Sequence, residues 1–457
     1  MKKVLLDLKE LKGMNDLTQG PIMPTLMKLT LPIIATNFIS TTYGLVDMIW
    51  VGRLGSGPVA AIGTASFFIN LAIALSTMIT IGTGIKVAFC MGSGQIEKAK
   101  SYMKNGFMMS ILLGFLYMSL VLLTNNRLIG FFDLGSDEVE RMARQFLMIS
   151  IFGTVFSIVN TLFATLLNSM GNSKQPFQIF SIGLMVNIVL DPFLIFGWGS
   201  FEGWGVAGAA TATLTANILV TALFIIKTRK SEIISNTSAW DSRQMKEVIR
   251  MGLPITIQRV TFTLISIVIA KIIVRFGADA IAVQKVGIQI ESISYMTIGG
   301  LQGAIAAFFG QNYGARRLDR IGQGYRKALI LTSIFGVIIS LIFIAFPQQL
   351  FSLFLSDQTS LELGTNYMRI IGYSQLFMCM ELMTVGAFNG IGQTHIPPIF
   401  SITFTALRIP LALILSGPFG LSGVWMSIAL SSVFKGVILV FWFRRSLFKM
   451  NKQQVNY

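Results

Sequence analysis

Residues 59–91 read VAAIGTASFFINLAIALSTMITIGTGIKVAFCM, and Lys86 is the single charged residue among them. A helix needs roughly 20 apolar residues to cross the hydrocarbon core of a bilayer, and this stretch exceeds that length. It shows no strand-like alternation. Because every backbone N–H and C=O within lipid must be paired inside the protein, only helices or closed barrels can span it. The stretch therefore predicts a membrane-spanning helix.

The rest of the chain repeats this pattern. The 457 residues are 53% hydrophobic and 12% charged, whereas an ordinary soluble domain carries about 25% charged residues. Charged, Gly-rich or Pro-rich segments separate twelve apolar runs. The sequence thus predicts an all-α membrane protein with twelve transmembrane helices, at about 26–51, 59–91, 102–124, 144–168, 176–197, 205–226, 248–274, 281–312, 327–346, 366–389, 397–416 and 420–442.

The net charge of +16 is concentrated in alternate loops rather than on a nucleic-acid-binding surface. Loops rich in Lys and Arg face the cytoplasm in membrane proteins, so we expect both termini on that side of the cell membrane. No nucleic-acid partner is predicted. The loop residues that carry this signal include Lys98, Lys100, Lys104, Lys174, Arg316, Arg317, Arg444 and Arg445.

An internal repeat divides the chain into two halves. Four motifs recur in the same order: Leu31-Pro32-Ile33 as Leu253-Pro254-Ile255, Arg53-Leu54-Gly55 as Arg275-Phe276-Gly277, Asn168 to Ser173 as Asn389 to Thr394, and Gly205 to Gly208 as Gly420 to Gly423. Six spans return the chain to its starting side, so the halves are parallel repeats, as in transporters that work by alternating access. We predict an amino lobe at 1–228, a cytoplasmic linker at 229–247 and a carboxyl lobe at 248–457.

Two carboxylates lie inside the predicted spans of the first half. A charged side chain there costs at least about 2.5 kcal/mol, so each carboxylate is expected to have an interaction partner or a functional role. Asp47 ends the first span, one turn after Tyr43, while Asn187 and Asp191 share one face of the fifth span. The purely structural alternatives are that Asp47 is an interfacial aspartate and that Asn187 and Asp191 form a hydrogen bond that tightens helix packing. With a hydroxyl from the sixth-span threonines Thr211, Thr213 and Thr215, these oxygens suit a small hard cation or a proton carrier, and the residues leave both open.

The repeat makes a functional interpretation stronger. The positions that correspond to the oxygen-bearing residues in the second half are Ile269, Arg408, Ala412 and Ile428. A cluster that merely held the fold together would be expected to recur at least in part. The asymmetry therefore favours a function confined to the first half.

The second half has intramembrane polar residues of its own. Glu381 lies in the middle of the tenth span and is the best candidate there for contacting a substrate. Lys435, like Arg259 and Lys271, is expected to extend its charge to an interface. The predicted substrate cavity of this half comprises Glu381, Gln258, Gln289 and Arg408.

Taken together, these residues resemble the multidrug and toxic compound extrusion (MATE) family, over nearly the whole chain. The resemblance rests on an ordered set: Leu31-Pro32, Val46-Asp47, Asn168 to Gly171, Asn187 with Asp191, Gly205 to Thr213, Gly310 to Ala315, and Asn389 to Thr394. It implies a V-shaped fold of two six-helix lobes that exports amphiphilic, often cationic drugs in exchange for Na⁺ or H⁺.

The resemblance also implies roles for single residues. Asp47, Asn187, Asp191 and Thr213, or alternatively Thr211, would form the cation site, which Tyr43 contacts, and Pro32 would be the hinge of the first span. Some branches carry an essential acid in the seventh span, where this chain has Thr261, so the prokaryotic branch is favoured. Basic residues in the second half argue against a purely cationic substrate range.

Three other functional classes are possible, namely a flippase, an intramembrane enzyme and a passive channel, which would give conductance without coupling. A flippase for lipid-linked oligosaccharides shares the broader fold, but twelve spans and a buried acid cluster count against it. An intramembrane enzyme would need a motif such as His-Glu-x-x-His, and the chain contains only one histidine, His395. We therefore expect a monomeric transporter without enzyme activity and without a cofactor, whose partners are small drugs, membrane lipid and the coupling ion.

Overall fold

The computed structural model describes residues 15–229, 240–355 and 357–455, which form α-helices, a 3-10 helix at Val274–Phe276 and one short hairpin. Most of the predicted linker, at 230–239, lies outside the described residues, as does the amino-terminal segment 1–14. The helices are α1 Ile22–Gly52, α2 Ser56–Gly92, α3 Ile96–Gly130, α4 Asp137–Ser169, α5 Lys174–Phe196, α6 Val206–Thr228, α7 Ser242–Ile273, α8 Ala278–Gly314, α9 Leu318–Ala345, α10 Pro347–Ser352, α11 Gln358–Gly390, α12 Ile396–Ala406 and α13 Arg408–Val455. Strands β1 Gly197–Trp198 and β2 Phe201–Glu202 pair in antiparallel fashion between α5 and α6.

The prediction of a helical membrane protein is confirmed. Eleven segments of the described chain are long and apolar enough to cross a membrane. The last of them, Ile396–Lys452, contains both predicted spans 397–416 and 420–442. Several helices extend past the predicted spans, since α3 begins at Ile96 rather than 102 and ends at Gly130 rather than 124. Hydropathy marks the lipid-facing part of a helix, whereas polar turns continue the same helix beyond the hydrocarbon core.

Repeated glycines keep the same backbone conformation in both halves. Gly205 has φ 55° and ψ −125° before α6, and Gly420 has φ 57° and ψ −137° inside α13. These angles lie in a region that side chains with a Cβ rarely adopt. In the first half this geometry lies between the hairpin and the start of α6, while in the second half the same geometry interrupts α13. Glycine therefore occurs at both positions because the backbone conformation there requires a residue without a Cβ.

The described chain packs as two compact units. Ala35–Gly252 belongs to the first unit, and Leu17–Ile34 together with the chain from Leu253 onward belongs to the second. Helices α1 and α7 are therefore each divided, and both divisions fall beside a copy of the Leu-Pro-Ile motif. The start of α7 is held within the first unit by polar contacts, among them Lys86 Nζ to Glu247 Oε2 at 2.6 Å and Asn105 Nδ2 to Gln244 Oε1 at 3.2 Å.

Candidate functional site

Helix α5 places Asn187 and Asp191 four residues apart on one face, in the interior of the first unit. Both side chains have 0% of their surface exposed. The Asn187 amide Nδ2 donates to Asp191 Oδ1 at 3.0 Å. Pro192 follows directly and removes a backbone donor from the helix. Helix α5 alone therefore positions Asn187 and Asp191 relative to each other.

Helices α1 and α6 complete the group. Thr213 Oγ1 donates to Asp47 Oδ2 at 3.0 Å. Asn187 Nδ2 also lies 3.4 Å from both Asp47 Oδ1 and Thr213 Oγ1. The carboxyl groups of Asp47 and Asp191 are within hydrogen-bonding reach of each other. Three helices therefore bring all four predicted residues together, and two carboxylates share one small volume.

Two oxygens of this group are buried without a partner. Asn187 Oδ1 and Asp191 Oδ2 accept no hydrogen bond from any described residue. Leaving a buried acceptor unsatisfied costs about 1–3 kcal/mol, and more for a charged one. A cation needs several such oxygens, and a proton on one carboxyl group would relieve the repulsion between the two. The donor set fits Na⁺ and H⁺ alike.

The alternative threonine of the sequence analysis lies apart from the group. Thr211 Oγ1 donates to the backbone oxygen of Ala207 at 2.8 Å, on its own helix. Thr213 instead directs its hydroxyl to Asp47. The next turn of α6 supports this arrangement, because Asn217 Nδ2 donates to the backbone oxygen of Thr213 at 3.0 Å. Asn160 Nδ2 in turn donates to the backbone oxygen of Asn217 at 3.0 Å.

These supporting residues were not predicted. Asn217 lies four positions after Thr213 on the same helix face, so spacing offered a signal for it. Asn160 is on α4, and nothing in its local sequence connects it with α6.

Tyr43 reaches the site region because of a glycine on α5. A Cβ at Gly183 would lie 2.3 Å from Tyr43 Oη and 2.4 Å from Val220 Cγ2, which is closer than real contacts allow. Only a residue without a side chain fits at this crossing. Gly183 therefore sets the position of Tyr43, which the structure places in the first unit near Asp47.

The matching positions of the second unit enclose a cavity instead. Ile269, Arg408 and Ile428 all line a cavity of about 430 Å³. Arg408 is 7% exposed, and its Nε donates to Ser431 Oγ. The counterpart of a polar oxygen cluster is thus a mainly apolar chamber containing a guanidinium group.

A buried ion pair lies beside this chamber. Lys435 Nζ is 3.0 Å from Glu381 Oε2, and both side chains are almost fully buried. Ser401 Oγ donates to Glu381 Oε1 at 3.1 Å. The expectation that Lys435 extends to an interface was wrong, because helix packing encloses it with a carboxylate partner. Arg259 and Lys271 are exposed.

The four residues of the predicted substrate cavity are not brought together. Glu381 and Gln258 line a smaller cavity of about 130 Å³, while Arg408 lines the larger one. Gln289 is exposed and lines neither of these two cavities. Its backbone oxygen accepts a hydrogen bond from Ser292 Oγ at 2.6 Å.

A family model described as MatE matches the chain twice, at residues 32–193 and 254–414. The chain belongs to the MatE family. The two matches begin at the two prolines of the Leu-Pro-Ile repeat, which supports the duplicated architecture. Members of this family are multidrug efflux transporters and not enzymes.

Individual relatives of the chain are described as a drug-resistance protein and as a transporter. The chain is 26% identical over 432 residues to a probable multidrug resistance protein NorM of Thermotoga maritima, covering 92% of each chain. It is 24% identical over 440 residues to an FAD transporter of Shewanella oneidensis, covering 93% of this chain and 95% of the relative. A crystal structure described as MATE in the bent conformation has a TM-score of 0.88 and 22% identity, covering 98% of this chain and 99% of that one.

Proposed function

We propose that this chain is a secondary active multidrug exporter that couples the efflux of amphiphilic and cationic compounds to the entry of H⁺ or Na⁺. The coupling ion binds at Asp47, Asn187, Asp191 and Thr213. The observation that carries the proposal is the pair of buried, unpartnered oxygens on Asn187 and Asp191 beside a second carboxylate. No cofactor takes part, and the protein works as a monomer with both termini in the cytoplasm.

The ion can drive transport only if it binds two conformations of the transporter with unequal affinity. A ligand shifts a conformational equilibrium by its difference in affinity for the two states, and no further. The site lies on α1, α5 and α6, so a small movement of α1 separates Asp47 from Asp191 and changes ion affinity. Substrate binding and ion binding are then linked by one coupling free energy.

Pro32 is the proposed hinge for this movement. It lies within α1, and the division of this helix between the two units falls after Ile34, two residues later. A proline inside a helix removes one backbone hydrogen bond and weakens the helix locally. Bending at this position moves the part of α1 that carries Asp47 while leaving α5 and α6 in place.

The test is efflux of a fluorescent cation from proteoliposomes, with ΔpH and ΔNa⁺ imposed separately. We expect one of the two gradients to drive transport, and Asp47→Asn and Asp191→Asn each to reduce the driven rate at least about 100-fold, since each removes a charge that the ion needs. Glu138→Gln, which removes an exposed carboxylate at the start of α4, is the matched control and leaves the rate unchanged.

The proposal fails if both asparagine variants retain the wild-type driven rate. A lipid-linked oligosaccharide that raises the melting temperature of the protein, while fluorescent cations do not, would favour the flippase alternative.

A further inference from the structure

The cavity of the second unit has the size and the lining of a small-molecule site. Its volume of about 430 Å³ lies within the roughly 300–1,000 Å³ that is usual for ligand pockets. Seven of its 21 lining residues are isoleucines, which come from four helices and include Ile269, Ile281 and Ile428. Such a lining accepts the apolar body of an amphiphile.

Arg408 places a positive charge in this cavity without a carboxylate in direct contact. Its guanidinium lies 5.6 Å from the ring centre of Phe262 and contacts the hydroxyls of Ser431 and Ser432. Among the described residues, no carboxylate oxygen lies within 4 Å of it. A buried guanidinium that has only hydroxyl partners is stabilised when a carboxylate binds to it.

The acidic groups near Arg408 already have partners of their own. Glu291, which lines the same cavity, accepts hydrogen bonds from the Tyr367 hydroxyl and from Gln375 Nε2. Glu381 is neutralised by Lys435 at 3.0 Å. Lys285 adds a second positive charge to the lining. Two basic side chains and one carboxylate thus line the cavity, so the formal charge of its lining is positive.

One acceptor in the wall also lacks a partner. Gln375 Oε1 is buried and receives no hydrogen bond from the described chain. Since buried polar atoms are nearly always paired, this oxygen is suited to a donor supplied by a ligand.

We propose that this cavity binds amphiphilic monocarboxylates whose carboxylate pairs with Arg408, and that a ligand carrying a further N–H or O–H group also donates to Gln375 Oε1. This site is separate from the cation site, because Arg408 occupies the repeat position of Asn187 in the other unit. It extends the substrate range beyond cations, to anionic and zwitterionic amphiphiles. The proposal goes beyond the proposed function, since binding at this cavity requires no ion gradient.

The experiment measures equilibrium binding of three probes to the purified full-length protein in detergent. The probes are 1-pyrenebutyrate, its neutral amide, and a pyrenebutyl trimethylammonium ion, which share one apolar body and differ in charge. We expect the wild-type protein to bind the carboxylate at least about 10-fold more tightly than the amide, because one charge-assisted hydrogen bond accounts for such a ratio.

The variant Arg408→Gln removes the charge and retains a polar side chain of similar reach. We expect it to weaken carboxylate binding about 10- to 100-fold and to leave amide binding within about 2-fold. Arg259→Gln is the matched control, because it removes an exposed arginine of the same unit that lines neither cavity.

A second variant keeps the test decisive if Arg408→Gln does not fold. Ser432→Asp places a carboxylate beside the guanidinium, where Ser432 Oγ now lies 3.4 Å from Arg408 Nη2. It should lower carboxylate affinity by competing for Arg408.

The inference is overturned if the wild-type protein binds the carboxylate and the amide equally, or if the preference survives in a folded variant. Neither result bears on ion coupling, which is measured separately by gradient-driven efflux.

Discussion

The two units carry opposite chemistry at matched positions of one repeated scaffold. In the first unit, Asp47, Asn187, Asp191 and Thr213 gather oxygens, two of which lack partners. In the second, Ile269, Arg408 and Ile428 line an apolar cavity with a guanidinium group.

The backbone features that are shared, such as the left-handed conformation at Gly205 and Gly420, are retained because they shape the helices. The side chains inside were free to diverge. The comparison teaches that in this protein the scaffold is duplicated and the site is not.

The strongest test of the comparison concerns the buried ion pair, because each salt bridge described in the first unit includes an exposed side chain. Lys435→Met leaves Glu381 buried without its cation, and breaking a buried pair in this way costs about 3–5 kcal/mol. We expect a marked fall in the midpoint of denaturant unfolding in detergent. The double variant Glu381→Leu with Lys435→Met should recover most of the loss, because it removes both charges. An unfolding midpoint unchanged in the single variant would contradict the assigned pairing.

The next largest effect distinguishes the role of Thr213 from that of Thr211, two residues earlier on the same helix. Thr213→Ala removes the hydrogen bond to Asp47, and a bond to a charged group contributes about 1.5–3 kcal/mol. We expect the ion concentration for half-maximal efflux to shift about 10-fold or more. Thr213→Ser, which keeps the hydroxyl, should restore it.

Thr211→Ala is the control for this pair, because its hydroxyl only contacts the backbone of Ala207. Equal shifts in the two alanine variants would remove Thr213 from the site.

A smaller effect tests the packing around Tyr43. Gly183→Ala forces a Cβ to within 2.3 Å of Tyr43 Oη, and overpacking of this kind costs about 1–3 kcal/mol. We expect lower thermal stability together with weaker ion coupling. Gly44→Ala on α1 meets no atom within 4 Å and should leave stability equal or slightly higher. If Gly183→Ala melts like Gly44→Ala, the close approach is not a constraint.

The smallest expected difference lies at two corresponding helix starts outside the membrane spans. Asp357 accepts a hydrogen bond from the backbone N–H of Ser360 at 2.8 Å, which lowers the pKa of this carboxyl group. Ser136, at the matching position before α4, makes no side-chain capping bond.

A lowered pKa adds stability above the unfolded-state value and loses it as pH falls. We therefore expect Asp357→Ala to lower the melting temperature slightly at pH 7, and this difference to shrink as pH falls below about 4 and through the lowered pKa. Ser136→Ala should change nothing at either pH. A pH-independent effect of Asp357→Ala would exclude the charged cap as its cause.

The sequence alone determined the membrane class, the positions of the helices, the repeat and the face shared by Asn187 and Asp191. These follow from local properties, namely the length of apolar runs and helical spacing. The grouping of Asp47 and Thr213 with that pair was a hypothesis that rested on their oxygens within the membrane, on the repeat and on the family resemblance, since spacing across different helices does not show contact.

Only the tertiary structure decided which oxygens stay unpartnered, that Lys435 pairs with Glu381, and that Arg408 faces a cavity. The hydrogen bonds of the site join residues 140 and 166 positions apart. In a membrane, helices are apolar toward lipid as well as toward their neighbours, so hydrophobic periodicity reveals little about which face is buried. The packing of whole helices against one another sets those contacts, and it is this packing that gives one half oxygens for a cation and the other a guanidinium.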